Sequence, residues 1–300
     1  MIKLEEAQDF IFSKCPKLPA AKVEISESRG LVMADSVLSS ENVPPFPNTA
    51  MDGYAVRAID TEPAPVELKV VGTIPAGKFP DFAIGEGEAA RIMTGAVIPE
   101  GADSVVMVEK TEKVNGDLGV IIKEGVEAGN FIRQPGEDFT KGTELFSSGV
   151  LIGAAHIGVF ATIGLEKVTV VKRPKVGVVS TGDELVEGAV ELRPGQIRDS
   201  NRHTVKALLG EMGVDVVDLG VVPDDESKIE SVLISASEEC DAIVTSGGVS
   251  MGDFDYVKVV LDRLGEMRWM QVAIKPAKPL AFGLLNGVPI FGLPGNPVSA

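Results

Sequence analysis

The sequence predicts a multidomain chain of α/β plus β-rich class, in which a doubly wound α/β domain follows a β-rich domain inserted after a small N-terminal helical segment. Three patterns predict it. Strands and helices alternate from Pro174 onward, short β runs separated by turn residues fill 52–146, and apolar residues recur at helical spacing near the N-terminus. At 300 residues and 44% hydrophobic content, the chain can bury more than one core.

Residues 3–14 place Leu4, Ala7, Phe10 and Ile11 on one face of a helix, and 26–38 gives a second, weaker helical pattern. The prolines of VPPFPN, from Val43, extend the backbone. VELKVVG, SVVMVEK and GVIIKEG, punctuated by Gly, Pro and Asn-Gly, then read as strands of a small β-rich domain. The apolar stretch LIGAAHIGVFATIG, within 150–172, reads as a helix leading through Arg173-Pro174 into the last segment. There the expected order is strand KVGVVST, helix 201–212, strand VDVVDLG, helix 226–239, strand DAIVTS, helix 254–264, and strands near 268–274, 280–285 and 288–292. Such alternation predicts a mostly parallel sheet. The boundaries expected are 1–44 with 143–172 as a helical part, 45–142 as the β-rich domain and 173–300 as the α/β domain.

Charge narrows the function. With 28 Lys+Arg against 44 Asp+Glu, the net charge is −16, which disfavours nucleic acid as a partner. The two cysteines suggest neither a disulfide framework nor a zinc knuckle, and point to a reducing cytoplasm. Neither a signal-peptide n-region nor a membrane-length apolar run is expected. Two tempting motifs fail on mechanism. GTIPAGK (72–78) has phosphate-loop spacing, but Phe79 stands where a magnesium-binding hydroxyl belongs. GVSMG (248–252) resembles a nucleophile elbow around Ser250, yet His156 and His203 both precede it, the wrong order for an α/β-hydrolase triad.

What remains is a set of turns at strand ends, where an α/β sheet binds phosphorylated ligands. Ser180-Thr181-Gly182-Asp183-Glu184 follows the first α/β strand; an ordinary helix cap explains it equally well. Ser246-Gly247-Gly248-Val249-Ser250 ends a later strand with two glycines able to admit a phosphate, and Asp253 and Asp255 follow. Lys275 and Lys278 are spaced by the prolines of AIKPAKP. Pro294, Gly295, Asn296 and Pro297 make a rigid bend that presents Ser299. Any metal here is expected to be hard and held by carboxylates.

These residues carry a resemblance. PPFPNTAMDGYAVRA, RIMTGAVIPEGAD, GED (136–138), STGDEL, SGGVSMGDFDY, IKPAKP and PGNPVSA together resemble the molybdopterin molybdenumtransferase family, that of bacterial MoeA and the gephyrin E domain. The resemblance covers nearly the whole chain. It implies a MogA-like molybdopterin-binding α/β domain and a cytoplasmic homodimer whose dimerisation part is 1–44 with 143–172. It also implies molybdenum insertion from molybdate into adenylylated molybdopterin with release of AMP, assisted by Mg2+, downstream of a molybdopterin adenylyltransferase.

By the same resemblance Asp52, Thr94, Glu184 and Asp255 are catalytic, and Asp224 with Asp255 holds the cation. Arg133, Asp138, Gly182, Ser246, Gly247, Gly248, Ser250, Lys275, Lys278, Pro294, Gly295, Asn296 and Ser299 bind substrate, with Lys275, Lys278 and Ser299 on the molybdate oxyanion. Asp52 and Thr94 also admit plain turn-forming roles. The sequence departs from the family pattern at Gln134-Pro135, where a more basic pair is common, and at Ala277, where glycine is common. The family's C-terminal β-domain is expected to be absent and the α/β domain truncated at its C-terminal helix, so this polypeptide is expected to bind the pterin but turn over poorly. Two alternatives are a molybdopterin adenylyltransferase, whose members lack the MDGYA domain, and a noncatalytic dimeric scaffold, against which Asp255, Lys275 and Lys278 count.

Overall fold

The apolar stripe at Ala7, Phe10 and Ile11 becomes the inner face of helix α1 (Leu4–Lys14) in the computed structural model, which describes residues 1–247 and 256–300. Ala7 is buried with Met270, Val272 and Phe282, and Phe10 meets Phe282 edge-on with ring centroids 5.9 Å apart. The chain divides into two compact units: Met1–Val23, Gly30–Ala34 and Thr169–Ala300 form one, and Glu24–Arg29 with Asp35–Val168 the other.

After α1 come β1 (Ala20–Glu24), β2 (Val32–Met33) and β3 (Val37–Leu38). The helix expected over 26–38 is not formed. A single 3-10 turn, Ile25–Glu27, is followed by β2 and β3, which pair with segments more than 100 residues away, so tertiary pairing overrides a weak local preference.

In the β-rich unit, β4 (Asn48–Thr49), β5 (Gly53–Val56), β6 (Val66–Ile74), β7 (Glu88–Ile92), β8 (Ser104–Met107), β9 (Thr111–Val114) and β10 (Gly119–Ile122) are followed by β11 (Ile132–Arg133) and β12 (Glu144–Phe146). One sheet has the order β8-β5-β7-β6-β10-β9, while β4 pairs with β11 and β3 with β12. Two apolar clusters fill its faces, one around Tyr54, Leu68, Val106 and Ile122, the other around Ile74, Ile84, Ile92 and Val105. GTIPAGK, rejected as a phosphate loop, begins inside strand β6, where a Cβ on Gly72 would lie 2.7 Å from the Phe82 ring. Helix α2 (Ala154–Thr162) is shorter than the apolar stretch suggests, and strand β13 (Lys167–Val171) follows it.

The α/β unit continues with β14 (Lys175–Thr181), β15 (Leu185–Val186), β16 (Ile197–Arg198), α3 (Asn201–Glu211), β17 (Asp215–Val222), α4 (Glu226–Glu239), β18 (Ala242–Ser246), α5 (Tyr256–Leu264), β19 (Glu266–Gln271), β20 (Pro279–Leu285) and β21 (Val288–Leu293). Its main sheet runs β17-β14-β18-β21-β20-β19. The first four strands are parallel and the last two antiparallel, a mixed sheet that keeps the doubly wound pattern at its centre. Asp225 starts α4 by accepting a hydrogen bond from the Lys228 N–H, and Ile229, Leu233 and Ala236 then fall on one face and pack on Val179 and Ile243.

Candidate functional site

Because β14, β17, β18 and β21 run in parallel, their C-terminal ends share one rim of the sheet. Strand β20 runs antiparallel to β21, with Ala281 opposite Gly292, so the β19–β20 connection that carries Lys275 and Lys278 emerges at that same rim. The α/β topology therefore gathers Gly182–Glu184, Ser246–Gly247, Lys275, Lys278 and Pro294–Ser299. A small pocket opens there, lined by Thr181, Glu184, Asn201, Ser246, Gly247 and Gly295, among others.

Backbone geometry explains the glycines. Gly182 has φ 147°, and a Cβ there would lie 2.4 Å from Glu184 Oε2, so only glycine lets that carboxylate fold back over the turn. Gly247, at φ 94°, passes so close to β14 that a Cβ would sit 2.9 Å from the Thr181 carbonyl oxygen. At the ends of β14 and β17 the acids cluster. The Asp224 N–H donates to Asp183 Oδ1 at 3.1 Å; burial pushes the Asp224 carboxyl up, and the neighbouring charges of Asp183 and Glu184 add to the rise.

Lys275 and Lys278 are exposed on a tight connection closed by the Val272 N–H donating to the Lys278 carbonyl at 2.7 Å. Between them Ala277 adopts φ 61°, the left-handed region, at the position where the sequence departs from glycine. After β21, Asn296 Oδ1 accepts from the Val298 N–H at 3.0 Å and the Asn296 carbonyl from the Ser299 N–H at 2.8 Å, so the segment that presents Ser299 is a turn.

The β-rich unit assembles a second group. Asp52 Oδ1 accepts both the N–H and the hydroxyl of Thr94 at 2.7 Å, and these bonds, the backbone one foremost, hold the carboxyl below its ordinary range. Strand β4 pairs with β11, Arg133 opposite Asn48, which brings the Arg133 loop beside the MDGYA loop. Arg133 then binds both acids of the GED turn, Glu137 at 3.3 Å and Asp138 at 2.5 Å. The arginine and both acids thus form one polar network.

The family described as MoeA N-terminal region (domain I and II) matches residues 2–164, and that described as probable molybdopterin binding domain matches 177–300. The molybdopterin molybdenumtransferase of Haemophilus influenzae is 40% identical over 301 residues, covering 100% of this chain and 74% of the relative. The chain belongs to the molybdopterin molybdenumtransferase family. The Nostoc sp. molybdopterin molybdenumtransferase is 38% identical, over 100% of this chain and 71% of its own length. A crystal structure of the molybdopterin biosynthesis MoeA protein of Pyrococcus horikoshii superimposes with a TM-score of 0.83 at 30% identity, covering all of this chain and 75% of the other. As a molybdopterin molybdenumtransferase family member, the chain is a transferase of molybdenum cofactor biosynthesis.

Among the expected site residues of this family member, Gly248, Ser250 and Asp255 lie outside the described residues. Among the described residues, no group of three or more His, Cys, Asp or Glu is placed to hold a metal ion, and no helix is long and apolar enough to cross a membrane. The oxygens of Asp183, Glu184 and Asp224 are nonetheless of the type a hard cation takes, and positive charge there would offset both the burial that chiefly raises Asp224 and the lesser repulsion from Asp183 and Glu184.

Sequence reasoning missed Asp199, Ser200 and Asn201, which also line the pocket. Asp199-Ser200-Asn201 before the periodic residues of α3 is a helix-start signature that could have drawn attention to that helix end as an anion-facing element.

Proposed function

We propose that this chain inserts molybdenum from molybdate into adenylylated molybdopterin and releases AMP, as a cytoplasmic homodimer fed by a molybdopterin adenylyltransferase. The observation that carries the reading is that two glycine turns, two exposed lysines and an acid cluster all emerge at one rim of the α/β sheet, where Glu184, Ser246, Gly247 and Gly295 line a pocket. Glycine turns and the α3 N-terminus offer N–H groups to phosphate oxygens. Lys275 and Lys278 attract the molybdate oxyanion as point charges, and Ser299 adds a hydroxyl donor. Gly182, Ser246, Gly247, Gly248, Ser250 and Pro294–Asn296 bind the pterin nucleotide.

Asp224, with Asp255, is proposed to hold magnesium, which when bound neutralises charge on the phosphoanhydride. Glu184 supports the reacting phosphate at the rim. Asp52, Thr94, Arg133 and Asp138 are proposed to complete the cleft of the dimer partner, with 1–44 and 143–172 as the dimerisation part and 45–142 and 173–300 as the domains that carry the two halves of the site.

The test is AMP release from adenylylated molybdopterin in a single turnover with protein in excess, with and without molybdate and magnesium. Release that requires molybdate supports insertion, and its loss in Lys275→Ala/Lys278→Ala supports the lysine assignment. AMP release indifferent to molybdate, or no binding of the adenylylated ligand, would overturn the proposal.

A further inference from the structure

Asn201 opens helix α3 without capping it. Ser200, in the cap position, has helical backbone angles and makes no side-chain cap bond, and the Asn201 side chain reaches to other strands instead. Its amide nitrogen donates to Ser246 Oγ at 2.8 Å and to the Gly295 carbonyl at 2.9 Å. Asn201 is buried, as is Ser246, and both line the pocket. A helix N-terminus favours aspartate electrostatically, but a carboxylate has no donor, whereas the amide NH2 has two and both are used here. Since Ser246 Oγ accepts from Asn201, its own proton is directed elsewhere, and the pocket lies on that side chain's border.

The platform beneath Asn201 is rigid. Arg202 is buried, its Nε donating to Asp199 Oδ2 at 2.9 Å while its other nitrogens pair with Asp218 and Glu187. Asp199 Oδ1 in turn accepts from the Arg202 N–H at 3.2 Å and the Ser180 hydroxyl at 3.1 Å, which fastens the start of α3 to β14. The Gly247 N–H donates to the Leu293 carbonyl at 3.1 Å, so the two turns meet at their bases, and Asn201 joins them nearer their tips.

We infer that Asn201 is a positioning residue whose amide sets the spacing between the Ser246–Gly247 turn and the Pro294–Asn296 turn, and with it the width of the cleft. Its effect on catalysis rests on the proposed binding of adenylylated molybdopterin; its effect on the turns does not. Asn201→Asp keeps the shape and removes both donors, and Asn201→Ala serves as the second variant should the aspartate fail to fold. Without ligand, the Gly247, Gly295 and Asn296 amides should exchange with solvent at least about fivefold faster, the factor expected for one net hydrogen bond, while the rest of the chain is unchanged. Equal acceleration everywhere, or none, would overturn the inference. With adenylylated molybdopterin, the Kd should rise about tenfold while the single-turnover rate at saturation stays within about twofold. An unchanged Kd, or a rate that falls together with affinity, would overturn it. If the wild-type chain itself does not bind this ligand, the functional proposal fails, and the exchange measurement alone decides the role of Asn201.

Discussion

Asp218 sits between Arg202 and Lys206, and its charge is shaped by both. Partial burial pushes its carboxyl up, but hydrogen bonds from Lys206, Arg202 and the Gly220 amide outweigh burial and hold it down at about 2. An aspartate in the unfolded chain titrates near about 3.9, so the ionised native form is favoured, and this stabilisation is complete above about pH 4 and disappears as pH falls toward 2. Asp218→Asn should lower stability at pH 7 by about 1 kcal/mol, a modest figure because the side chain is 39% exposed. Urea titrations across pH should show the gap from wild type closing between about pH 4 and 2; a gap independent of pH would tie the loss to shape. Ala277 makes an opposite case. Its φ of 61° is cheap for glycine and costly for alanine, so Ala277→Gly should raise stability by up to about 1 kcal/mol in the same titration, and a loss would show that the position is not strained.

Strands β5 and β8 approach each other so closely that glycine is required at Gly53 of the MDGYA loop. A Cβ there would meet the Val106 carbonyl oxygen at 2.1 Å, and the neighbour is backbone and cannot swing away. Gly53→Ala should cost about 2–3 kcal/mol, read as a lowered unfolding midpoint, and should disturb the Asp52–Thr94 contact next to it. At this scale much was legible. The pattern of α4 gave its boundaries because a capping aspartate and an apolar stripe agree, and the strands of the α/β unit followed from apolar runs bounded by turns. β2 and β3 were not legible, since each is two residues long and exists only through a distant partner. The Arg202 network was hidden for a related reason: Asp218 lies 16 residues beyond Arg202 in the chain, and only folding brings it and Asp199 onto one buried guanidinium.

On the scale of the whole molecule, the motifs quoted from the sequence fall into two groups that the fold keeps in separate units, Asp52, Thr94 and Arg133 in one, and the strand-end turns with Lys275 and Lys278 in the other. The sequence showed their order along the chain, and the sheet register showed which of them share a rim. The chain's path also fixes a schedule for its making. Helix α1 is translated early relative to the surface it needs: Met270, Val272 and Phe282 follow more than 250 residues later, as does Gln271, whose carbonyl accepts the Ile2 N–H at 2.8 Å. At roughly 5–20 residues per second the wait is on the order of tens of seconds. An 11-residue helix is marginal alone in water, so the nascent α1 segment spends that interval unpaired, while every residue of the other compact unit, 24–29 with 35–168, has by then long been translated.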